Sequence, residues 1–368
     1  MPDILVFGAT GYTGKLVAHA LAERGASFAI AGRDRAKLEA LSAAAGNPEV
    51  RVASVGDVGG LVGALEDCRV LLTCVGPFSE LGWTAVEAAL QARVNYLDSA
   101  GEGPFVGRLI AEYDARARTA GIAMAPALGF DEVPGDVAAT LASEGFERPE
   151  VVLTYAMPSG ASNGTIKSAL GILVGSGPWI RNGRRVTITT GQHSRWSPMP
   201  PPLGPKPAIS FPLANGHLIP LHLDLSGLEL YLTIGAAQKL GARVALPVLK
   251  VVHSFEGPRK LFERAVETVQ RSGGPGEQQR RKWWTILAEA RSGDRWRNVA
   301  ITGRDVYGLT AQLLSASAMR MSQPDYEPTG VLAPVQAMGV DLLEKELLDN
   351  DIDITTYGPI RSQRQGDR

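Results

Sequence analysis

Three glycines near the N-terminus have the residue type and spacing that suit phosphate binding. Gly8, Gly11 and Gly14 follow a short apolar strand and lead into a helix predicted over Lys15–Arg24. A strand, a glycine-rich turn and a helix in this order form a cradle for phosphate groups, because the helix N-terminus presents free backbone amides. The candidate cofactor-binding residues of this turn are Gly8, Thr10, Gly11, Tyr12, Thr13 and Gly14.

Each of these three glycines has its own expected role. Gly8 allows the tight turn, Gly11 lets the backbone approach a pyrophosphate, and Gly14 lets the helix pack closely on the strand. The pattern predicts a dinucleotide site at the N-terminus. The alternative is that these glycines serve only the turn itself.

The residues after the second predicted strand, Ser27–Ala31, indicate which dinucleotide is bound. An NAD-binding domain usually has a carboxylate here for the ribose hydroxyls, whereas this chain has Gly32-Arg33-Asp34-Arg35. Arg33, with Arg35 as a second candidate, would pair with a 2′-phosphate, which favours NADP(H) over NAD. Asp34 has an alternative role as the N-cap of the next helix.

The loop after the apolar strand Arg69–Cys74 is a second candidate part of the cofactor site. Gly76 and Pro77 would bring the backbone against the ribose and nicotinamide, and Phe78 could flank the ring; a plain strand-to-helix turn is the alternative. Asp57 is a candidate for the adenine edge, with a helix N-cap as its alternative role. The candidate residues here are Asp57, Val75, Gly76, Pro77 and Phe78.

Polar residues that follow later strands are candidates for the chemical step. Ligands of a doubly wound sheet sit at the carboxyl ends of its strands, which is where YLDSAGE (96–102) and GFDEVPGD (129–136) are expected. Tyr96, Ser99 and Lys167 are candidate donors to an oxyanion. Asp131 and Glu102 would better orient a cationic imine or a carboxamide.

The order of predicted elements indicates an α/β protein with two domains. Apolar strands alternate with helices up to about residue 130, which predicts a Rossmann-type, doubly wound parallel sheet. Later strands alternate in polarity and predict a second α/β domain with a mixed, largely antiparallel sheet. We expect an NADP-binding domain over 1–130, a substrate and dimerisation domain over 131–330, and a C-terminal segment, 331–360, that packs back on the first domain.

Three segments of the second half carry more specific predictions. The proline-rich stretch 197–212 is expected to be a rigid extended loop without regular structure. Val331–Leu348 is predicted as a helix and Ile352–Thr356 as a short strand. The apolar run Leu240–Val252 suits a lipid chain or a dimer face, with core packing as the alternative.

Composition limits the class of protein. The chain has 368 residues, 37 Lys and Arg against 38 Asp and Glu, and a net charge of −1, which is ordinary for a soluble globular protein and implies no nucleic-acid partner. Cys68 and Cys74 are expected to be free thiols, and the five histidines lack the spacing of a metal site. No signal peptide and no membrane-spanning run is evident, so we expect a cytoplasmic protein.

Several motifs together resemble the saccharopine dehydrogenase-like oxidoreductases, and especially the trans-acting enoyl reductases that work beside lipid-forming polyketide synthases. The matching segments are GATGYTG (8–14), AGRDRAKL (31–38), CVGPF (74–78), YLDSAGE (96–102), GFDEVPGD (129–136), SNGTIKSAL (162–170) and TGVLAP (329–334). The resemblance implies NADP(H), a Rossmann domain and a second α/β domain whose sheet often mediates homodimers. It also places Ser99 and Asp131 in the site by motif position.

Three hypotheses of function follow. The first is an NADPH-dependent reductase that transfers hydride to an α,β-unsaturated acyl or ketone substrate, either a small molecule or an acyl group on a carrier protein. The second is a saccharopine- or lysine-type amino-acid dehydrogenase acting on an imine. The third is a non-catalytic NADP-binding regulator.

Overall fold

Seven parallel strands form the first sheet, and six of them come from the N-terminal third of the chain. The computed structural model describes residues 1–157, 175–234 and 282–358. The strands run in the order β15-β6-β5-β4-β1-β2-β3, so the order reverses between β4 and β1. They are β1 (Ile4–Phe7), β2 (Phe28–Gly32), β3 (Glu49–Val52), β4 (Val70–Thr73), β5 (Asn95–Asp98), β6 (Ala123–Ala125) and β15 (Gly330–Val331).

Helices connect these strands and cover the sheet. The strands β1, β2 and β4 are buried along their whole length, as expected where helices lie on both faces of a parallel sheet. The predicted Rossmann-type sheet is confirmed. The helices are α1 (Tyr12–Glu23), α2 (Arg35–Ala44), α3 (Val58–Ala64), α4 (Phe78–Leu81), α5 (Trp83–Ala92) and α6 (Gly103–Ala120).

The second sheet is mixed, which confirms the predicted fold class. Its main order is β10-β11-β12-β7-β13-β14-β16, with β8 and β9 attached at β12. Only the β12–β7 pair is parallel among the strand pairs of this sheet in the described ranges. The strands are β7 (Glu150–Ala156), β8 (Ser176–Arg181), β9 (Arg184–Thr189), β10 (Ser194–Ser197), β11 (Lys206–Ser210), β12 (Gly227–Thr233), β13 (Trp284–Ser292), β14 (Arg295–Gly303) and β16 (Asp353–Tyr357).

Further helices join the two sheets through one continuous core. The core runs from Leu72 of the first sheet through Leu313 and Val137 to Leu153 and Ile286 of the second. Arg24 at the end of the first helix donates to Glu346 at 2.7 Å and 3.2 Å. The helices are α7 (Val133–Ser143), α8 (Asn215–Leu218), a 3₁₀ turn (Ile219–Leu221), α9 (Val306–Met321), α10 (Pro334–Met338) and α11 (Val340–Asp349). No helix within the described ranges is long and apolar enough to cross a membrane.

The proline-rich stretch contains a strand, contrary to the prediction of a structureless loop. Pro207 lies in β11, where it cannot donate a hydrogen bond, but its carbonyl accepts one from Ile234 N at 2.9 Å. The preceding loop covers the outer face of the sheet, where Met199 packs with Leu287 and Ala300. Prolines are therefore tolerated here because the strand still pairs through its carbonyl groups.

The predicted helix over Val331–Leu348 is wrong in its extent. Val331 ends strand β15, and two helices, α10 and α11, follow it. Gly339 separates them with a φ of +79°, which a continuous right-handed helix does not allow. The last strand, β16, pairs with β14 in the second sheet, whereas β15 pairs with β6 in the first.

Replacing Gly14 by alanine is expected to destabilise the protein. An added Cβ would overlap the Gly8 carbonyl oxygen and lie 2.8 Å from Ala9 Cα, so the helix must move away from the strand. Such overpacking costs about 1–3 kcal/mol of unfolding free energy. Thermal unfolding followed by circular dichroism measures the change.

Gly63→Ala is the matched control for this substitution. Gly63 lies in α3, and a Cβ added there meets nothing within 4 Å. Alanine at this position is expected to be neutral or to stabilise by up to about 1 kcal/mol. Equal losses in both variants would contradict the close approach of α1 to β1.

Candidate active site

The turn between β1 and α1 has the geometry of a phosphate cradle. Gly8 has a φ of +82°, and a Cβ there would lie 2.6 Å from Val75 Cγ2, so only glycine fits. Gly11 N donates to the Gly8 carbonyl at 3.0 Å, and Gly11 is the N-cap of α1 without a side-chain cap. The N-terminus of α1 therefore has no side-chain cap, as is typical of a helix N-terminus that binds a phosphate.

The other residues of the turn lie around this cradle. Thr10, Tyr12 and Thr13 are half-buried. The Tyr12 ring stands edge-on to Tyr307 of α9, with ring centroids 5.1 Å apart. The turn is thus fixed against a helix from the far end of the chain.

Arg33 stands where a 2′-phosphate is expected. It directly follows β2, its side chain is exposed, and within the described ranges it makes no ion pair. Arg35 is also exposed but lies 3.7 Å from Glu39 Oε1, on its own helix. Arg33 is therefore the better placed of the two for an anionic ligand.

Two acids from the sequence analysis cap helices. Asp34 accepts a hydrogen bond from Lys37 N at 3.1 Å, and Asp57 accepts one from Gly60 N at 2.8 Å. Each is the N-cap of the helix that follows. The alternative role of helix cap is thus confirmed for both residues, and among the described residues the Asp57 carboxylate accepts no other hydrogen bond.

The loop after β4 lies beside the glycine turn and is held by Glu102. The Glu102 carboxylate accepts hydrogen bonds from Phe78 N and Ser79 N, both at 2.8 Å, at the start of α4. Phe78 is buried, with its ring centroid 5.8 Å from that of Phe105. The structure therefore packs Phe78 in the core, next to Gly76, and its position beside a nicotinamide ring stays a prediction. The backbone of Val75, Gly76 and Pro77 remains to line the site.

Asp98 fastens the ends of β5 and β6 to each other. Its fully buried carboxylate accepts hydrogen bonds from Ala100 N and Ala127 N, both at 2.8 Å, and its backbone carbonyl accepts one from Leu128 N at 2.8 Å. Burial raises the pKa of Asp98 to about 6 in spite of these donors. The two loops that carry Ser99 and Asp131 are therefore held together by one side chain.

Tyr96 is not available as a donor to a substrate. Its side chain is fully buried, and its hydroxyl donates to Asp98. Burial raises the pKa of Tyr96 well above its usual value. The expectation failed because residues two apart in a strand share a face, which turns Tyr96 inward together with Asp98.

The loops that carry Ser99 and Asp131 approach each other at the carboxyl ends of β5 and β6. A Cβ added to Gly101 would lie 3.1 Å from Asp131 Oδ2, and one added to Gly129 would lie 3.4 Å from Ser99 Cβ. Both side chains are half-buried, and neither has a hydrogen-bond partner within the described ranges. Burial raises the pKa of Asp131 to about 6. Lys167 lies outside the described residues.

A buried polar group beside Asp131 was missed by the sequence analysis. Asn215 Nδ2 donates to the Tyr155 hydroxyl at 2.6 Å and to the Glu132 carbonyl at 3.2 Å. The Glu132 carboxylate oxygens and Asn215 Oδ1 are buried without hydrogen-bond partners among the described residues. Burial and the neighbouring acids raise the pKa of Glu132 well above its usual value.

Of Glu132, Asn215 and Tyr155, only Glu132 stands in a sequence context that could have pointed to it. Glu132 follows Asp131 directly at the start of an apolar helix, and two successive acids there are unusual. Asn215 and Tyr155 come from a distant helix and from the second sheet, so no local pattern brings them to Glu132.

Comparison with known proteins supports this architecture. Residues 4–124 match the family described as the saccharopine dehydrogenase NADP binding domain. Apo saccharopine dehydrogenase (L-Glu forming) from Saccharomyces cerevisiae superposes with a TM-score of 0.65 at 13% identity, covering 98% of this chain and 100% of that one. The low identity limits this second match to a likeness of fold.

Proteins similar in sequence to this chain include two named as enoyl reductases and one named as a lipid droplet protein. A putative trans-acting enoyl reductase of Mycobacterium tuberculosis is 33% identical over 184 residues, which is 46% of this chain and 44% of that protein. A trans-acting enoyl reductase of Mycobacterium leprae is 34% identical over 142 residues, which is 37% of this chain and 34% of that protein. A lipid droplet localized protein of Caenorhabditis elegans is 30% identical over 156 residues, 39% of this chain and 37% of its own. The matches thus span less than half the length of these relatives.

These matches confirm the resemblance found in the motifs and the expected cofactor. The matched domain is an NADP-binding one, which agrees with the exposed Arg33 at the end of β2. Residues 4–124 are thus similar to the saccharopine dehydrogenase NADP binding domain, and the fold is like that of saccharopine dehydrogenase.

Proposed function

We propose that this protein is an NADPH-dependent reductase of an α,β-unsaturated acyl or ketone substrate. The observation that carries the proposal is that Asp98 holds the loops with Ser99 and Asp131 together at the carboxyl end of a sheet whose strand order reverses between β4 and β1. Ligands of doubly wound sheets bind at that point. Bound NADPH would supply the hydride.

The residues around the turn fit this cofactor. The N-terminus of α1, which has no side-chain cap, would bind the pyrophosphate, and the exposed Arg33 would pair with the 2′-phosphate. Arg33 lies on the β2 side of the turn, so the adenosine half of the cofactor would extend over β2. The nicotinamide half would extend over the ends of β4, β5 and β6, where Gly76, Ser99 and Asp131 lie.

Ser99 and Asp131 supply the polar chemistry that reduction needs. Addition of hydride to an enoyl group leaves an enolate, whose oxygen the free Ser99 hydroxyl would stabilise by donating a hydrogen bond. Asp131, with a pKa raised to about 6, is partly protonated near neutral pH and would donate a proton.

The arginines of the second sheet bear on the choice of substrate. An amino-acid imine with several carboxylates calls for free arginines. Arg181 donates to Glu229 at 3.2 Å, and Arg195 donates to Glu289 at 3.0 Å, so both are already paired. Arg184 and Arg185 of the β8–β9 hairpin are exposed and form no ion pair within the described ranges, so free arginines are also present. The names of the trans-acting enoyl reductase relatives support an acyl substrate.

One observation favours a second candidate, a dehydrogenase acting on an imine. The unpaired carboxylate of Asp131 would also suit a protonated imine nitrogen.

We further propose the domain limits 1–130 and 131–330, a cytoplasmic homodimer, and a carrier-bound or free acyl substrate as parts of the working hypothesis.

The choice between acyl and imine substrates is tested by NADPH oxidation with two matched panels. One holds enoyl thioesters of rising chain length, and the other holds keto acids paired with amino acids. We expect turnover with the thioesters only. Turnover only with the amine pairs would move the protein to the imine hypothesis, and tight NADPH binding without any turnover would indicate a regulator.

Arg33→Ala is expected to weaken the preference for NADPH over NADH. Loss of a charge-assisted contact with the 2′-phosphate costs about 1–3 kcal/mol of binding free energy. Titration of both nucleotides by fluorescence measures the two dissociation constants. Arg69→Ala is the control, because Arg69 is an exposed arginine before the opposite, N-terminal end of β4. Unchanged discrimination in Arg33→Ala would reject the role of this residue.

Asp131→Asn is expected to lower kcat about 10²–10⁴-fold, because asparagine cannot donate the proton. In the wild-type protein the protonated form acts, so kcat should fall as pH rises above the pKa of about 6. The variant should lose this dependence on pH. The control is Asp325→Asn, at an exposed acid that pairs with Arg320. A wild-type pH profile in Asp131→Asn would contradict the assignment.

A further inference from the structure

The loop after β4 lies directly against the glycine turn. A Cβ added to Gly8 would lie 2.6 Å from Val75 Cγ2 and 3.3 Å from Val75 N, so the two loops are in contact. Strands β1 and β4 are neighbours, and the strand order reverses between them. Because ligands of doubly wound sheets bind at such a point, the backbone of Val75, Gly76 and Pro77 would border the nicotinamide half of the cofactor.

Glu102 fastens this loop from the neighbouring strand. Its two carboxylate oxygens accept one hydrogen bond each, from Phe78 N and from Ser79 N, both at 2.8 Å. Glu102 is only 6% exposed, and a buried charged acceptor forms stronger hydrogen bonds than a neutral one. The acid that the sequence analysis directed at an imine or a carboxamide therefore holds the backbone of the loop after β4.

The two amides that Glu102 accepts belong to the start of α4. The first amides of a helix have no partner within the helix, and the N-cap residue usually supplies an acceptor from its side chain. The N-cap of α4 is Pro77, whose side chain has no polar atom. Glu102 replaces this missing cap, so the conformation of the loop depends on a residue outside the loop.

The same residue ends the segment that carries Ser99. Residues 99–102 connect β5 to α6, and Glu102 is the N-cap of α6. At the other end of this segment, the Asp98 carboxylate accepts hydrogen bonds from Ala100 N and Ala127 N. Ser99 thus lies between two buried carboxylates, one of which holds the loop after β6 and the other the loop after β4.

We propose that Glu102 is a positioning residue that holds the loop after β4 in the conformation that binds the nicotinamide half of NADPH. The inference rests on the proposed placement of the cofactor and adds to it a residue that acts through the backbone of this loop. Because Glu102 orders the loop before the cofactor arrives, binding does not have to order it. The adenosine half would lie over β2, on the other side of the glycine turn, and would not depend on Glu102.

The test compares two ligands, each titrated into the whole chain by calorimetry. NADPH carries both halves of the cofactor, whereas adenosine 2′,5′-bisphosphate carries the 2′-phosphate and no nicotinamide. Glu102→Gln keeps the size of the side chain but turns an amide donor toward one of the two backbone donors. We expect the dissociation constant for NADPH to rise about tenfold, because the ligand must then order the loop. The constant for the bisphosphate should change by less than about twofold, as for independent sites.

Glu87→Gln is the matched control. The Glu87 carboxylate accepts from the Tyr113 hydroxyl at 2.8 Å and from Arg116 at 2.9 Å, so its hydrogen bonds join α5 to α6. This substitution also removes a carboxylate that holds two segments together. It should leave the ratio of the two dissociation constants unchanged.

The ratio of the two constants separates positioning from a general loss of structure. Equal rises of both constants in Glu102→Gln, or no rise in either, would overturn the inference. If Glu102→Gln does not fold, Glu102→Asp is judged on the same ratio, because its carboxylate is shorter by one methylene and cannot reach both amides. Failure of the wild-type protein to bind NADPH would instead overturn the proposed function.

Discussion

The hydrogen bonds that converge on the buried carboxylate of Asp98 are the constraint on which the candidate site depends. They tie the turn after β5 to the turn after β6, and those turns carry Ser99 and Asp131. The acceptor is fully buried, so each donor that it lost would be left unpaired in an environment that water does not reach. Without this clamp the two loops would be free to separate, and the proposed donors would no longer converge on one reacting atom.

Residues of the second half of the chain also hold the segment that carries Asp131 in place. Thr310 of α9 accepts a hydrogen bond from Phe130 N at 3.1 Å, directly before Asp131. Asp136 accepts from Val335 N at 2.9 Å and lies 2.6 Å from His222 Nε2, which joins α7 to the C-terminal segment. The position of Asp131 is thus set by the contact of Phe130 with α9 and by the contacts of Asp136 with His222 and Val335. Both halves of the chain therefore contribute to the position of Asp131.

Local sequence patterns were enough for the parts of the fold that depend on neighbours in sequence. The glycine turn and strands β1 to β6 follow from short-range spacing and were predicted near their observed positions, and the caps at Asp34 and Asp57 were foreseen as alternative roles. Tyr96 was misplaced because its residue type suggested a donor, whereas its position two residues from Asp98 turns it into the core. The strand within the proline-rich stretch was missed because pairing with β10 and with distant β12 makes it regular. The contact of Asn215 with Tyr155 lies wholly in the tertiary structure and leaves no pattern in the sequence.

Hydrogen–deuterium exchange of the whole chain, with and without NADPH, tests the central claim most directly. The account places the pyrophosphate on the first amides of α1 and the nicotinamide over the loops after β4, β5 and β6. We expect slower exchange in residues 8–14, 75–79, 99–102 and 127–131, and no change in the β8–β9 hairpin of the second sheet. Protection of the glycine turn without protection of 99–102 and 127–131 would contradict the account, because the nicotinamide would then lie away from Ser99 and Asp131.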